Sequence, residues 1–431
     1  MSTVTPAVQP VQPSTLPSAD FEVVRSWKAP IALGIFTVLS FLLLVVFGRT
    51  GISSFRLSTS RDLIQLPKLD LPTLMTGIVI SVLLLLITGI SVWLVRSRAK
   101  VPIWLISVFA VLVLIGFLAW AAADKVIPVP GLLFGSISLA VPLIFGALGG
   151  VISERVGVVN IAIEGQLLAG AFTSALVASL TQQPILGLVA AMFAGVLVSM
   201  VLASFSIKYF VDQVIVGVVL NVLVIGVTGF LYSQVMRPNS ALLNQPPRFE
   251  RINIPFLSEI PIIGPVLFRQ TLIVYIMYVA VAVVYYGIFH TKWGLRLRSV
   301  GEHPQAADTV GINVARTRFW NVSLAGAIVG LGGAYFTLGS VGAFGKEMTA
   351  GAGFIALAAV IFGRWDPIRA TLAALLFGFA SNLQNVLSII GSPVPSEFML
   401  MLPYLVTIFA VAGFVGTSRG PAASGKPYIK S

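Results

Sequence analysis

Polar side chains inside long apolar runs are the residues of this sequence most able to do chemistry. Glu164 follows Asn160 by four residues, so a helix would place both on one face. A carboxylate inside a bilayer costs roughly 2.5 to 3.5 kcal/mol on insertion scales, so Glu164 must face protein or water. It can line a polar wall for a solute, lock two helices together, or anchor a helix end by hydrogen bonds. We favour the anchor, with Glu154, Arg155 and Asn160 as its partners.

Uncharged amides lie within other apolar runs, at Asn221, Asn321, Asn382 and Gln384. An amide can bond the hydroxyl groups of a solute, and it can equally bond a neighbouring membrane helix. Both interpretations stay open for each residue. The candidate solute pathway consists of Asn160, Glu164, Asn221, Asn321 and Gln384.

Residues for covalent or metal chemistry are scarce. The chain has no Cys and two His, His290 and His303, which lie far from any acidic cluster, so we expect no metal site. A membrane enzyme would need a nucleophile with a base, or a metal cluster. Residues 420–426 match the first seven positions of a phosphate-binding P-loop, but Pro427 replaces the Ser or Thr that binds magnesium. We therefore expect no cofactor on this chain and no hydrolysis of ATP by it.

Membrane helices must position these residues. The chain has 431 residues, of which 57% are hydrophobic and 10% are charged, whereas soluble domains are about one quarter charged. A bilayer core needs roughly 20 apolar residues of helix to cross it. Backbone groups in lipid must be bonded internally, so the apolar runs should be helices. The sequence predicts an all-α polytopic membrane protein.

The apolar segments number twelve. They lie at about 30–48, 72–95, 101–123, 131–152, 159–181, 184–206, 214–236, 271–290, 319–343, 351–363, 370–390 and 397–417. The tenth is too short to span a bilayer at about 1.5 Å per residue, so we predict a half-helix buried among its neighbours. Whether it spans or re-enters stays open.

The charge of the chain indicates topology and not nucleic-acid binding. The formal net charge is +12, but the basic residues are spread over short loops between apolar runs. With a cytoplasmic N-terminus, most of the 27 basic residues lie on the inside, and both termini face the cytoplasm. We expect a multi-pass protein of the plasma (inner) membrane, with lipid as a partner. Residues 1–28 resemble a disordered leader.

Small residues four positions apart favour close helix crossing. The chain offers two such pairs, Gly146 with Gly150 and Gly326 with Gly330. We expect tight packing at both pairs, with little room for larger side chains.

Two loops are long enough to have structure of their own. The outer loop, at about 237–270, carries six Pro, which discourage helix and favour an irregular surface for a partner. The inner loop, 291–318, has Pro304 at a good helix start, followed by Gln305, Ala306 and Ala307. Gly311 can take the positive φ that ends such a helix. This short helix fits a groove on another protein, or is an ordinary connection.

Three motifs carry a family resemblance. Gln305-Ala306-Ala307 with Gly311 looks like the Glu-Ala-Ala-x-x-x-Gly coupling motif of ABC importer permeases, although Gln305 replaces the acidic first residue. The stretches 146–166 and 348–367 are similar to nucleoside-type permeases of the ribose and branched-chain amino-acid permease superfamily. Together the motifs place the resemblance over about residues 131–420.

The resemblance implies a division of the chain. Residues 1–28 form a cytoplasmic leader, 29–100 an added transmembrane hairpin, 101–418 a ten-helix permease core with coupling loop 291–318, and 419–431 a cytoplasmic tail. The residues expected to couple to an ATPase are Glu302, Gln305, Ala306, Ala307 and Gly311.

The resemblance also implies function and partners. It implies a permease subunit that pairs with a second permease, with ATP-binding cassette ATPases that hold ATP and magnesium, and with an extracellular substrate-binding lipoprotein. Nucleosides are the favoured cargo, and ribose-like sugars are the alternative. A secondary transporter driven by an ion gradient is the main rival, but it would normally show related halves or several intramembrane acids.

Overall fold

Most of the described residues are helical. The computed structural model describes residues 26–59, 62, 64–392, 394, 395, 397, 398, 401 and 420–430. Within them, ten helices are long and apolar enough to cross a membrane, and one shorter apolar helix accompanies them. These coincide with eleven of the twelve predicted segments, so the all-α polytopic fold class is confirmed. The twelfth segment, 397–417, and the leader 1–28 lie almost entirely outside the described residues.

Among the described residues, one compact unit comprises residues 26–53 and 71–123. Its helices are α1 (Lys28–Phe41, continued by a π-helical turn, Leu42–Val46), α2 (Thr73–Arg96) and α3 (Ile103–Ala121). Its buried core consists of Leu33, Leu44, Ile80, Leu84 and Phe109. By packing, α3 therefore groups with the two helices of the predicted hairpin 29–100. The functional boundary at residue 100 stays a prediction.

The second unit comprises the described residues among 54–70 and from 124 onward. Its helices are α4 (Val129–Arg155), α5 (Ile163–Thr181), α6 (Pro184–Ala203), α7 (Gln213–Leu231), α8 (Ser240–Leu243), α9 (Ile263–Leu267), α10 (Leu272–His290), α11 (Lys292–Glu302), α12 (Pro304–Thr309), α13 (Val314–Ala334), α14 (Ala352–Phe362) and α15 (Pro367–Ile389). Three of these helices, α6, α7 and α13, continue as π-helical turns at Ser204–Lys208, Tyr232–Met236 and Tyr335–Val341.

Short strands accompany the helices. β1 (Ile52–Arg56), β2 (Leu69–Pro72) and β3 (Val126–Pro128) form a sheet of order β2-β1-β3, in which Ser54 pairs with Val126 in parallel register. β4 (Arg251–Asn253) and β5 (Arg269–Thr271) form an antiparallel pair in the outer loop.

The outer loop is more regular than its six Pro predict. Apart from the strand pair, it contains α8, α9 and a 3₁₀ turn at Leu257–Glu259. Proline does limit helix length there, since α8 and α9 have four and five residues.

Helices α4, α6, α13 and α14 meet at glycines. A Cβ on Gly326 of α13 would collide with Ser199 and the backbone of Gly195 on α6, and one on Gly330 would collide with the backbone of Ala191. On α4, Gly146 faces Ala356 and Gly150 faces Val360, both on α14. At Gly326 and Gly330 the helix backbones approach each other directly, whereas Gly146 and Gly150 make room for side chains of α14.

The inner loop holds two helices where the sequence analysis predicts one. Helix α12 begins at Pro304 as predicted. Helix α11 was missed, although Thr291 caps it by accepting a hydrogen bond from Gly294 N at 3.2 Å. Its residues Leu297 and Val300, three positions apart, are fully buried. This periodicity is the signal that could have revealed the helix.

The segment 342–366 runs from one end of α4 to the other. Before it, Leu338 O accepts a hydrogen bond from Phe249 N, and Arg251 nearby lies over the ring of Phe134 near the start of α4. At its other end, Trp365 O accepts a hydrogen bond from Arg155 Nε, at the end of α4. An irregular stretch and the half-helix α14 therefore run together along α4. Whether the tenth segment spans or re-enters stays a prediction.

The glycine contacts predict a sharp difference between two alanine substitutions. Gly326→Ala should destabilise the protein by about 1–3 kcal/mol, because the new methyl group overpacks the α6–α13 contact. Gly226→Ala is the matched control on α7, where a Cβ meets no other group within 4 Å. Thermal unfolding of the purified variants in detergent measures the difference. Equal unfolding temperatures would contradict the packing.

Candidate functional site

A single carboxylate holds the start of the half-helix α14. Glu164 lies in the first turn of α5 and is 4% exposed. Its Oε1 accepts hydrogen bonds from Thr349 Oγ1 at 2.6 Å and Gly351 N at 2.9 Å, and its Oε2 accepts one from Gly353 N at 2.6 Å. The first backbone N–H groups of a helix have no partner within the helix. The Glu164 carboxylate is the acceptor for two N–H groups at this helix start, those of Gly351 and Gly353. It lies at the positive end of the helix dipole.

Glu164 has the anchoring geometry that we favour, but with other partners than those expected. Glu154 instead accepts a hydrogen bond from the indole of Trp365, and Asn160 bonds Gln166. The actual partners come from residues 349–353, far along the chain. Spacing within one segment cannot reveal a contact of this kind.

The backbone entering α14 is irregular. Glu347, Ala350 and Gly351 have φ values of 53°, 45° and 85°, in the left-handed region. Two residues later, a Cβ on Gly353 would overlap the backbone of Glu164. Irregular backbone at membrane depth is tolerated where protein surrounds it. Close approach to Glu164 therefore requires glycine at position 353.

A second polar contact joins α6 to the loop that precedes α5. Asn160 and Gln166 exchange two amide hydrogen bonds of 3.2 Å, and Gln166 Nε2 donates a third to Ser199 Oγ at 2.9 Å. All three side chains are inaccessible to solvent. The predicted pathway residue Asn160 is thus enclosed in a hydrogen-bonded group.

Asn221 and Asn321 also serve as links between elements. Asn221 Oδ1 accepts a hydrogen bond from Gly165 N, and its Nδ2 donates to Ile161 O, so α7 holds the start of α5. Asn321 Oδ1 on α13 accepts a hydrogen bond from the indole of Trp293 on α11 at 2.9 Å. Both asparagines are buried.

Gln384 stands apart from the other pathway candidates. It is half-buried on α15, where its neighbour Asn382 donates a hydrogen bond to Leu132 O of α4. The structure thus brings Asn160, Glu164 and Asn221 together around the start of α5, and places Asn321 and Gln384 on other helices. Contact of any of the five with a solute stays a prediction.

The predicted coupling residues lie in α12 and directly before and after it. Gln305 and Ala306 are exposed, whereas Ala307 is 3% exposed and faces the core. Gly311 ends the turn with a φ of 87°, and Ile312 N donates to Ala307 O. Glu302 is exposed at the end of α11. The arrangement leaves one face of a six-residue helix exposed.

The sequence analysis missed a junction at the end of α4. Trp365 Nε1 donates a hydrogen bond to Glu154 Oε2 at 2.5 Å, and Arg155 Nε donates to Trp365 O at 2.9 Å. Trp365 therefore fixes the end of α14 to α4. Its position between charged residues 364 and 366, directly after an apolar run, is the available signal.

A cavity of about 840 Å³ opens near the start of α4. Its polar lining includes Arg251, Asn253, Glu259 and Arg269. Arg269 forms an ion pair of 3.2 Å with Asp62. Across the part of the chain that the structure describes, no three His, Asp or Glu side chains lie close enough to hold a metal ion.

The part of the chain that the structure describes has ten helices able to cross a membrane. It also has a short apolar helix with a carboxylate at its start and an exposed short helix between two of the long ones, and this arrangement is that of a multi-pass membrane protein. The family model for the permease component of the branched-chain amino acid transport system matches residues 132–411. The chain belongs to this family. Like its relatives, which are ABC transporter permeases, it is a transport subunit and not an enzyme.

Curated relatives include two nucleoside permeases. The guanosine ABC transporter permease protein NupQ of Bacillus subtilis is 44% identical over 68% of this chain and 94% of its own length. The nucleoside ABC transporter permease protein NupC of Lactococcus lactis is 41% identical over 67% and 94%. NupP, a second guanosine permease of Bacillus subtilis, is 26% identical over 63% and 79%. No solved structure matches the chain.

The geometry around α14 predicts that Glu164→Gln destabilises the protein. A glutamine presents an N–H₂ group where the carboxylate accepts, so at least one donor among Thr349, Gly351 and Gly353 loses its acceptor. Hydrogen bonds to a charged group contribute about 1.5–3 kcal/mol, and we expect a loss of that size with loss of transport.

Glu347→Gln is the matched control for Glu164→Gln, since Glu347 lies exposed in the same loop. Thermal unfolding and solute uptake in vesicles measure both variants. If Glu164→Gln unfolds at the wild-type temperature and transports normally, the carboxylate does not hold the half-helix.

Proposed function

We propose that this chain is a permease subunit of an ATP-driven importer that carries nucleosides inward. The supporting observation is its identity of 44% and 41% to a guanosine permease and a nucleoside permease, over nearly the full length of both. Ribose-like sugars remain the second candidate cargo. A glucose ABC transporter permease protein of Haloferax volcanii, named as putative, is 34% identical over 59% of the chain.

The coupling residues Glu302, Gln305, Ala306, Ala307 and Gly311 are proposed to receive an ATP-binding subunit, which holds ATP and magnesium. The exposed methyl group of Ala306 supports this role, because a small side chain permits close approach of a partner. The half-helix α14 is proposed to transmit the movement. It joins α4 at Trp365 and α5 at Glu164, so displacement at the coupling side reaches the interior.

The permease is proposed to pair with a second, related permease. Two permeases of Bacillus subtilis that are named for guanosine both match this chain, at 44% and 26% identity.

The candidate pathway residues Asn160, Glu164, Asn221, Asn321 and Gln384 are proposed to act mainly by shaping the helices around the pathway. Gln384, which is half-buried, is the best candidate among them for contact with a solute.

The distribution of basic residues predicts which side of the membrane each loop faces. We propose that both termini and α12 are cytoplasmic and that the cavity near Arg251 faces outward, in the plasma (inner) membrane. An extracellular substrate-binding lipoprotein is the proposed partner of the outer surface. The outer loop contributes a paired-strand surface and guanidinium groups to it.

Uptake measurements test the proposed function. A strain that lacks this chain should lose ATP-dependent uptake of radiolabelled guanosine and other nucleosides, and expression of the chain should restore it. Loss of sugar uptake alone would favour the second candidate cargo. Uptake that persists without the ATPase and follows an ion gradient would overturn the importer assignment.

Substitution at the coupling helix should separate docking from folding. Ala306→Arg places a large charged side chain on the exposed face of α12, so we expect uptake to fall at least about tenfold with normal membrane levels. Ala99→Arg, at an exposed position in the loop between α2 and α3, is the control and should transport normally. Co-purification of the ATPase measures docking directly, and undiminished co-purification with Ala306→Arg would argue against this surface.

A further inference from the structure

The last described residues of the chain, 420–430, pack against the coupling region, and we call them the strap. Pro421 and Ala423 are buried. Ala423 N donates a hydrogen bond to Gly301 O at 2.9 Å, and Ala422 N donates one to the Glu302 carboxylate at 3.2 Å. The strap is thus bonded to the last turn of α11, directly before α12.

The strap also supplies the acceptor of a buried arginine. Arg318, in the first turns of α13, is 2% exposed, and its Nη1 donates to Lys426 O at 2.9 Å. Its Nε and Nη2 have no hydrogen-bond partner among the described residues. An unpartnered buried charge is costly, so removal of the Lys426 carbonyl would leave the guanidinium without an acceptor.

The strap contacts α12 itself through Asp308. Lys430 Nζ lies 3.7 Å from the Asp308 carboxylate. The Tyr428 hydroxyl lies near enough to the same carboxylate to interact with it electrostatically. The Tyr428 ring also packs against the hydrophobic core of the unit. The lysine is largely exposed, so its ion pair contributes little and Tyr428 carries most of this contact.

Glycines permit two further close approaches. Gly157, with a φ of 92°, lies where a Cβ would meet Arg318 and approach Ala423 O. Gly420 lies against the indole of Trp365. The strap therefore touches the junction at which α14 meets α4, besides α11, α12 and α13.

Helix α12 cannot hold its own position. It has six residues, of which one, Ala307, is buried. A helix this short is not stable by itself in water, so its orientation depends on neighbouring groups. The strap provides such groups on the side of Asp308.

We propose that the strap positions α12 for transfer of force from the ATP-binding subunit, by holding it to the ends of α11 and α13 throughout the transport cycle. This inference rests on the proposed function. The strap residues Tyr428 and Lys426, together with Arg318, are positioning residues and not part of the solute pathway. Without them, ATP hydrolysis continues but moves α12 without moving the membrane helices.

The test measures solute imported per ATP hydrolysed by the assembled transporter in proteoliposomes. Deletion of residues 421–431 should lower this ratio about tenfold, which corresponds to the loss of one acceptor, Lys426 O, from the buried Arg318. ATP hydrolysis should change less than twofold. Tyr428→Phe combined with Lys430→Ala should lower it in the same direction. Lys100→Ala, which removes an exposed lysine of the loop between α2 and α3, should leave the ratio unchanged.

Arg318 provides a second pair of variants that removes no chain. Arg318→Met abolishes the bond to Lys426 O without leaving a buried charge, and it should lower the ratio. Arg318→Lys keeps a donor and should restore part of it. A purely structural role would lower protein yield and ATP hydrolysis together, and would leave the ratio of the folded fraction intact.

The outcomes separate the two proposals. If wild-type uptake does not depend on ATP, the proposed function fails. If wild-type uptake depends on ATP, an unchanged ratio in the deletion variant overturns only the proposal for the strap. A raised ratio overturns it too, because the strap would then inhibit transport. Should the deletion variant not assemble, the ratio of the Tyr428→Phe, Lys430→Ala variant decides in its place.

Discussion

The carboxylate of Glu164 is the contact on which the arrangement of the permease unit depends. A helix that begins inside a membrane protein exposes backbone N–H groups that lipid cannot bond. Glu164 accepts hydrogen bonds from Gly351 and Gly353 and from the Thr349 hydroxyl, and so makes an interrupted crossing tolerable. The cost of burying the carboxylate is offset, because the same hydrogen bonds satisfy both the carboxylate and the groups that donate to it.

Other features follow from this contact. Gly353 must lack a side chain so that α14 can approach Glu164, and Asn221 fixes the start of α5 from which Glu164 projects. On α4, Gly146 and Gly150 admit Ala356 and Val360 of the half-helix. At its far end, Trp365 holds the half-helix to Glu154 and Arg155. The half-helix is therefore fixed at both ends and packed along its length, which fits its proposed role as a link between the interior and the proposed coupling side.

The coupling side is organised by a different kind of contact. There the interactions are mainly backbone carbonyls and small residues, with Gly301, Ala423 and Gly157 in close approach. Such contacts are specific in geometry but leave the surface of α12 open, since Gln305 and Ala306 stay exposed. Both properties fit the proposed role of α12, which is to bind a separate subunit and to move with its own chain.

The sequence by itself determined the membrane class, eleven helical segments, the shortness of the tenth, and the start of α12 at Pro304. These features are local, because the length of an apolar run and the position of proline act within a few residues. The coupling motif and the family resemblance were also readable, since each occupies one continuous stretch.

Only the tertiary structure decided which groups meet. Glu164 with Thr349, Asn221 with Gly165, Trp365 with Glu154 and Lys426 with Arg318 are all distant in sequence. An asparagine in an apolar run can bond a solute or a neighbouring helix, and the sequence does not distinguish the two. The choice depends on which backbone groups the packing leaves without partners, and packing is settled by contacts over the whole chain.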